Sequence, residues 1–151
     1  MTRTDIRLRH NDLVLVADGS KALLMTNEGD AFAPRLMLEH VVEIDNPPTR
    51  DQGTERPGHF DKGGRTRRGA FEATDFHDAA ENDFAARIAA MMEDRSSEWS
   101  KRSVVIVAAP RMLGQLRKHL SSAVRGHVSA ELDVDLANKP VSEIEALLSV
   151  R

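Results

Sequence analysis

The sequence predicts an α/β fold on one mixed five-stranded sheet, with elements in the order βββαβαβα. Three observations predict it. Two short unbroken apolar runs, LVLVA at 13–17 and VVIVA at 104–108, have the length and β-branched content of strands buried on both faces. Two turn signals divide the segment after the first run into an antiparallel meander. Beyond residue 73, helical and strand patterns alternate, as they do when strands are joined by helical crossovers.

The elements follow in order. After the strand at 13–17, DGS at 18–20 is the kind of signal that joins hairpin strands, and KALLMTN at 21–27 runs back. EGD at 28–30 turns the chain again into a third strand at 35–44. There Leu36, Leu38, His40, Val42 and Ile44 share one face at period two. Residues 45–73 break every periodicity: three of the six prolines and five of the nine glycines fall in them, so they read as a long loop. Phe76, Ala80, Phe84, Ile88 and Met91 then recur at helical spacing, with Thr74 or Asp75 as N-cap. The apolar run beginning at Ser103 ends at Pro110, which opens a helix through Leu120 where proline is tolerated. Val128, Ala130, Leu132, Val134 and Leu136 alternate as the last strand. A closing helix packs Val141, Ile144, Leu147 and Leu148.

Three antiparallel strands followed by right-handed crossovers put the first strand at the centre of the sheet, with helices on both faces. This is the ribonuclease H-like three-layer arrangement. At 151 residues, one domain spanning 1–151 buries a core without staples. The absence of cysteine excludes a disulfide framework, a thiolate zinc site and a cysteine nucleophile. The start, MTRTDIRLRHND, is charged, and no apolar run approaches the roughly 18 residues of a membrane span. A soluble, cytoplasmic protein without membrane contact is therefore expected. Net charge is -3 with a pI near 6.1, so any polyanion contact is local. Residues 62–68, KGGRTRR, hold four cations and no acid, the one concentrated basic run in the chain.

Ribonuclease H folds suggest a metal-dependent nuclease, with carboxylates from the first strand, the first helix and the fourth strand. Asp18 would be one ligand and Glu81 or Asp78 another. The fourth strand offers no carboxylate, and Asp133 and Asp135 alternate on the strand after it. Asp18 is also the natural residue for a hairpin turn, so its structural role takes precedence. His77 and Glu81 stand one helical turn apart with no third ligand at supporting spacing, the pattern of a surface contact. His40 shares a face with apolar neighbours and reads as a satisfied core histidine, and Trp99 as a core edge. No nucleophile elbow, Walker loop or dinucleotide fingerprint is present, and VAAPRML lacks the glycines that cradle a phosphate. No catalytic residue, resident metal or cofactor is assigned. The basic loop remains: Gly63 and Gly64 allow close backbone approach, and Lys62, Arg65, Arg67 and Arg68 can engage phosphates. Arginine-rich segments that order on RNA are a recognised binding mode.

VLVADGSKALLM, the glycine- and arginine-rich loop, TDFHDAAENDFAARIA, VIVAAPRMLGQLRKHL and ELDVDLANKPVSEIEALL together resemble the bacterial host attachment proteins, named as required for attachment to host cells. The resemblance runs from about Leu13 to the C-terminus. That family is similar to the middle domain of archaeal and eukaryotic class-1 release factors and of Pelota, which has the same ribonuclease H-like order. In release factors, a Gly-Gly-Gln tip on the loop after the third strand enters the peptidyl-transferase centre and helps position the hydrolytic water. Gly63, Gly64 and Arg65 stand at the same topological place here. An arginine binds RNA phosphate but does not reproduce the compact amide of glutamine. The resemblance therefore implies a non-catalytic factor that meets ribosomal or transfer RNA through Lys62, Gly63, Gly64, Arg65, Arg67 and Arg68. The family name implies a second class, an adhesion or interaction protein, and the carboxylates a third, the nuclease.

Overall fold

The computed structural model describes residues 6–44 and 69–149, with side chains of the second segment described from residue 79. Its strands are β1 (Leu13–Ala17), β2 (Lys21–Asn27), β3 (Leu36–Glu43), β4 (Val104–Ala108) and β5 (Val128–Leu132). Its helices are α1 (Gly69–Ser96), α2 (Pro110–His119), α3 (Ser122–Arg125) and α4 (Val141–Leu148). The sheet order is β3-β2-β1-β4-β5, so β1 is central as expected. It pairs antiparallel with β2, Leu13 opposite Thr26, and parallel with β4, Leu13 opposite Val104.

All five residues of β1 and all five of β4 are buried, which explains their unbroken apolar sequence. Alternate side chains feed two cores. Leu13, Leu15, Ala17, Leu24, Val104 and Ile106 pack under Phe84, Ala85, Ile88 and Met92 of α1 and Met112, Leu113 and Leu116 of α2. On the other face Val14, Val16, Met25, Val105 and Val107 pack against Ile6 and Leu8 of the lead-in and Ile144 and Leu148 of α4. This is a three-layer α/β fold with a mixed sheet.

Both edge strands depart from strict alternation. In β3, Leu24 pairs with His40 and Met25 with Leu38, so Glu39 is an extra residue. The bulge reverses the faces. Leu36 is buried in the second core and Val42 in the first, although period two would put them on one side. Leu38 is 57% exposed. In β5, Val104 pairs with Val128 and Val105 with Ala130, so Ser129 is extra, and Val128 and Leu132 join opposite cores. The β3 edge is blunted as well: the Glu145 carboxylate accepts the Leu36 N–H at 2.8 Å, and Arg87 donates to the Glu43 carbonyl at 3.3 Å.

Other boundaries move for local reasons. Helix α1 begins at Gly69, inside the segment expected as loop and ahead of the expected caps Thr74 and Asp75. Strand β5 stops at Leu132 rather than Leu136, because its ladder with β4 ends at Val107 opposite Leu132 and β4 then turns into α2. The exposed Asp133 and Asp135 therefore lie beyond the strand. Helix α3, one turn, was not anticipated; Ser121 caps it by accepting the Val124 N–H at 3.2 Å, and Val124 is fully buried. Pro110 opens α2 as expected. Val141, expected in the core, is 41% exposed at the start of α4. The side chains of Phe76, His77 and Asp78 lie outside the described residues, as do Lys62, Gly63, Gly64, Arg65, Arg67 and Arg68.

Candidate functional site

Strands β1 and β4 are parallel neighbours whose chains leave in opposite directions, one into a hairpin and the other into α2. That topological switch point is where open α/β sheets leave a crevice at their carboxyl ends. The residues there come from three elements: Asp18, Gly19 and Ser20 of the β1–β2 turn, Glu81 of α1, and Arg111 in the first turn of α2.

The turn is built by Asp18. Its Oδ1 accepts the Ser20 and Lys21 N–H groups at 2.8 Å each and the Ser20 hydroxyl at 3.3 Å, while the Asp18 N–H donates to the Lys21 carbonyl at 2.9 Å. This is the hairpin role the sequence suggested. Gly19 permits a close approach: a Cβ there would stand 3.0 Å from Glu81 Oε2. Glu81 therefore lies against the turn. Its other oxygen, Oε1, is buried and 3.6 Å from Arg111 Nε, close enough for an ion pair but too far for a hydrogen bond. The structure thus brings Asp18 and Glu81 to one edge, with one oxygen committed to a turn and the other carboxylate facing a guanidinium. Among the described residues, no three His, Cys, Asp or Glu side chains converge to hold a metal.

At the same edge Ile44, the last described residue after β3, donates its N–H to the Ser20 carbonyl at 3.1 Å, and the basic run at 62–68 lies outside the described residues. Two other expectations concern histidine and tryptophan. His40 is half-buried, and its Nδ1 accepts from Arg95 at 3.0 Å, so it is a satisfied structural histidine. Trp99 is 2% exposed and meets His127 edge-on, with ring centroids 5.2 Å apart, which makes it core.

The basic run at 62–68 is not the only gathering of cations. At the amino-terminal ends of β1 and β4, Arg9, Lys101 and Arg102 border one pocket. No contiguous run reveals it, because its two halves lie 91 residues apart. The signal available in the sequence was indirect: cations a few residues ahead of each of the two buried strands that proved to be neighbours, Arg9 before Leu13 and Lys101 and Arg102 before Val104.

No described helix is long and apolar enough to cross a membrane. No curated protein matches the chain. One protein family does match, over residues 13–148, and its description is "Protein required for attachment to host cells". The matched span begins on the first residue of β1 and ends on the last residue of α4, so it covers every strand and helix described above. The chain therefore belongs to the family of proteins required for attachment to host cells.

Proposed function

We propose that this chain is a cytoplasmic, RNA-associated member of the host attachment family that binds phosphates through Lys62, Gly63, Gly64, Arg65, Arg67 and Arg68. The observation that carries this reading is charge: four cations in seven residues, with no acid among them, in a chain of net charge -3. The resemblance to release-factor and Pelota middle domains, with Arg65 in place of glutamine, favours ribosomal or transfer RNA as the partner and binding over hydrolysis.

Co-sedimentation with ribosomes over a salt series tests the proposal. Four neutralised phosphates give a log–log salt slope of about -3, so binding weakens roughly 50- to 150-fold between 50 and 200 mM salt. Replacing Lys62, Arg65, Arg67 and Arg68 with alanine removes most of that slope. Failure of the intact protein to co-sediment at the lowest salt refutes the reading. The family description favours a second reading, direct attachment, which predicts exposure of the protein on intact cells.

A further inference from the structure

We propose that the pocket at the amino-terminal ends of β1 and β4 is a binding site for a phosphate monoester. The parallel pairing of β1 with β4 brings the segments preceding them together. Arg9, His10, Asn11 and Asp12 on one side and Ser100, Lys101 and Arg102 on the other border an open pocket of about 430 Å³. That volume lies within the range of small-ligand sites, roughly 300–1,000 Å³.

Its charge is the first argument. Three permanent cations border the pocket against one acid, and that acid is committed to the scaffold. Asp12 is 4% exposed; its Oδ2 accepts the Arg9 N–H at 3.0 Å and its Oδ1 accepts the Ser103 N–H at 3.1 Å. Arg9 Nε stands 3.6 Å from the same carboxylate, but its side chain is 64% exposed and able to turn toward a ligand. Lys101 is exposed and has no ion-pair partner among the described residues. His10 is held through Nδ1, which donates to the Gly29 carbonyl at 3.0 Å and leaves Nε2 as its second ring nitrogen. Glu39, 3.5 Å from Arg102, offsets part of this charge, and the pocket keeps a positive excess that selects an anion. A phosphate monoester presents three terminal oxygens to Arg9, Lys101 and Arg102, where a diester or a carboxylate presents two. The pocket is also larger than a bare phosphate needs, leaving room for the esterified group.

Rigidity is the second argument. Asn11 (φ 74°) and Ser100 (φ 55°) are the two non-glycine residues with positive φ among the described residues, and both line this pocket. Such conformations persist where their surroundings over-determine them. The Asn11 N–H donates to the Asn27 carbonyl at 2.7 Å, and the Asn11 carbonyl accepts from Arg102 Nε at 2.7 Å. Arg102 also donates to Thr26 Oγ1 at 3.0 Å and meets Glu39 at 3.5 Å, so it ties the two halves together as a fixed cation. Behind it, buried Trp99 and the bond from His127 Nδ1 to the Arg102 carbonyl, 2.8 Å, hold the second segment.

The test titrates inorganic phosphate, adenosine 5′-monophosphate and adenosine into the full chain at low salt. Amide NMR shifts of Asn11, Ser100 and Lys101 are followed. Saturable binding of phosphate and of the monophosphate is expected, with adenosine silent. The exposed double variant Arg9→Ala/Lys101→Ala, checked for fold by circular dichroism, weakens the monophosphate at least tenfold, and Lys101→Glu alone reproduces the direction. The variant with alanine at 62, 65, 67 and 68 retains monophosphate binding, which separates this site from the RNA proposal. The inference is overturned by any of four results: no saturation up to on the order of 10 mM ligand, binding unchanged in the double variant, loss of monophosphate binding in the 62–68 variant, or tighter binding of adenosine than of its monophosphate.

Discussion

Replacing Asn27 with alanine dismantles the junction between the lead-in, β2 and the β2–β3 turn. Asn27 is fully buried. Its Nδ2 donates to the carbonyls of Leu8 at 3.0 Å, Arg9 at 3.2 Å and Asp30 at 3.3 Å, and its Oδ1 accepts the N–H groups of Gly29 at 2.9 Å and Arg35 at 2.8 Å. With two hydrogens on Nδ2, these contacts amount to four full hydrogen bonds, one of them shared. At about 1 kcal/mol net each, the loss is roughly 4 kcal/mol. Arg9, Asp30 and Arg35 are exposed residues, so water recovers part of it, and the expected cost is about 3 kcal/mol. For a chain of this size that lowers Tm by roughly 6–12 °C. Urea unfolding followed by circular dichroism reads it as a lower midpoint at unchanged m-value. Asn27→Asp is the sharper perturbation: it keeps the two accepted bonds and sets a carboxylate oxygen against three carbonyls, so it costs at least as much as alanine. If either variant unfolds within about 1 kcal/mol of wild type, the assignment of Asn27 as the hub of this junction is wrong.

The glycines provide an internal contrast: a Cβ at Gly29 would lie 2.1 Å from the Ala33 carbonyl oxygen, which is backbone, so Gly29→Ala costs upwards of about 2 kcal/mol in the same unfolding assay. In α2 a Cβ at Gly114 meets nothing within 4 Å, so Gly114→Ala raises stability by about 0.5–1 kcal/mol, seen as a higher urea midpoint. Deleting Glu39 removes the β3 bulge but leaves every other pairing with β2 in place and Leu36 and Val42 on opposite faces, so the protein keeps a cooperative transition, and Glu39→Ala costs about 1–2 kcal/mol in the same assay because the hydrogen bond from the Thr26 hydroxyl and a partly exposed ion pair with Arg102 are lost. Truncating Trp99 to alanine removes a buried ring packed on His127 and costs about 3–5 kcal/mol, measured by calorimetry.

Some of the architecture was legible because the physics is local. Strands β1 and β4 are buried on both faces, so their sequences are apolar without interruption. Pro110 marks the first turn of α2, and Asp18 marks a turn by bonding the backbone two and three residues ahead. The same locality made the charge of residues 62–68 visible, because those cations are contiguous. The edge strands were less legible. A bulge is one residue unmatched in a ladder, and the apolar spacing of β3 and β5 looks regular whether or not that residue is skipped. The approach of Glu81 to Gly19 and Arg111 was equally hidden, since a helix carboxylate and a turn glycine carry no mutual signal along the chain.

By itself the sequence determined the order of the strands and of the three longer helices, the central position of β1, the resemblance to the family and the single dense run of positive charge. Only the tertiary structure decided which faces the edge strands present, that Asn27 knits three segments, and that Arg9 meets Lys101 and Arg102 around one pocket. The physical reason is strand pairing: hydrogen bonds between β1 and β4 bring together segments some ninety residues apart, and no property of either segment alone records its neighbour.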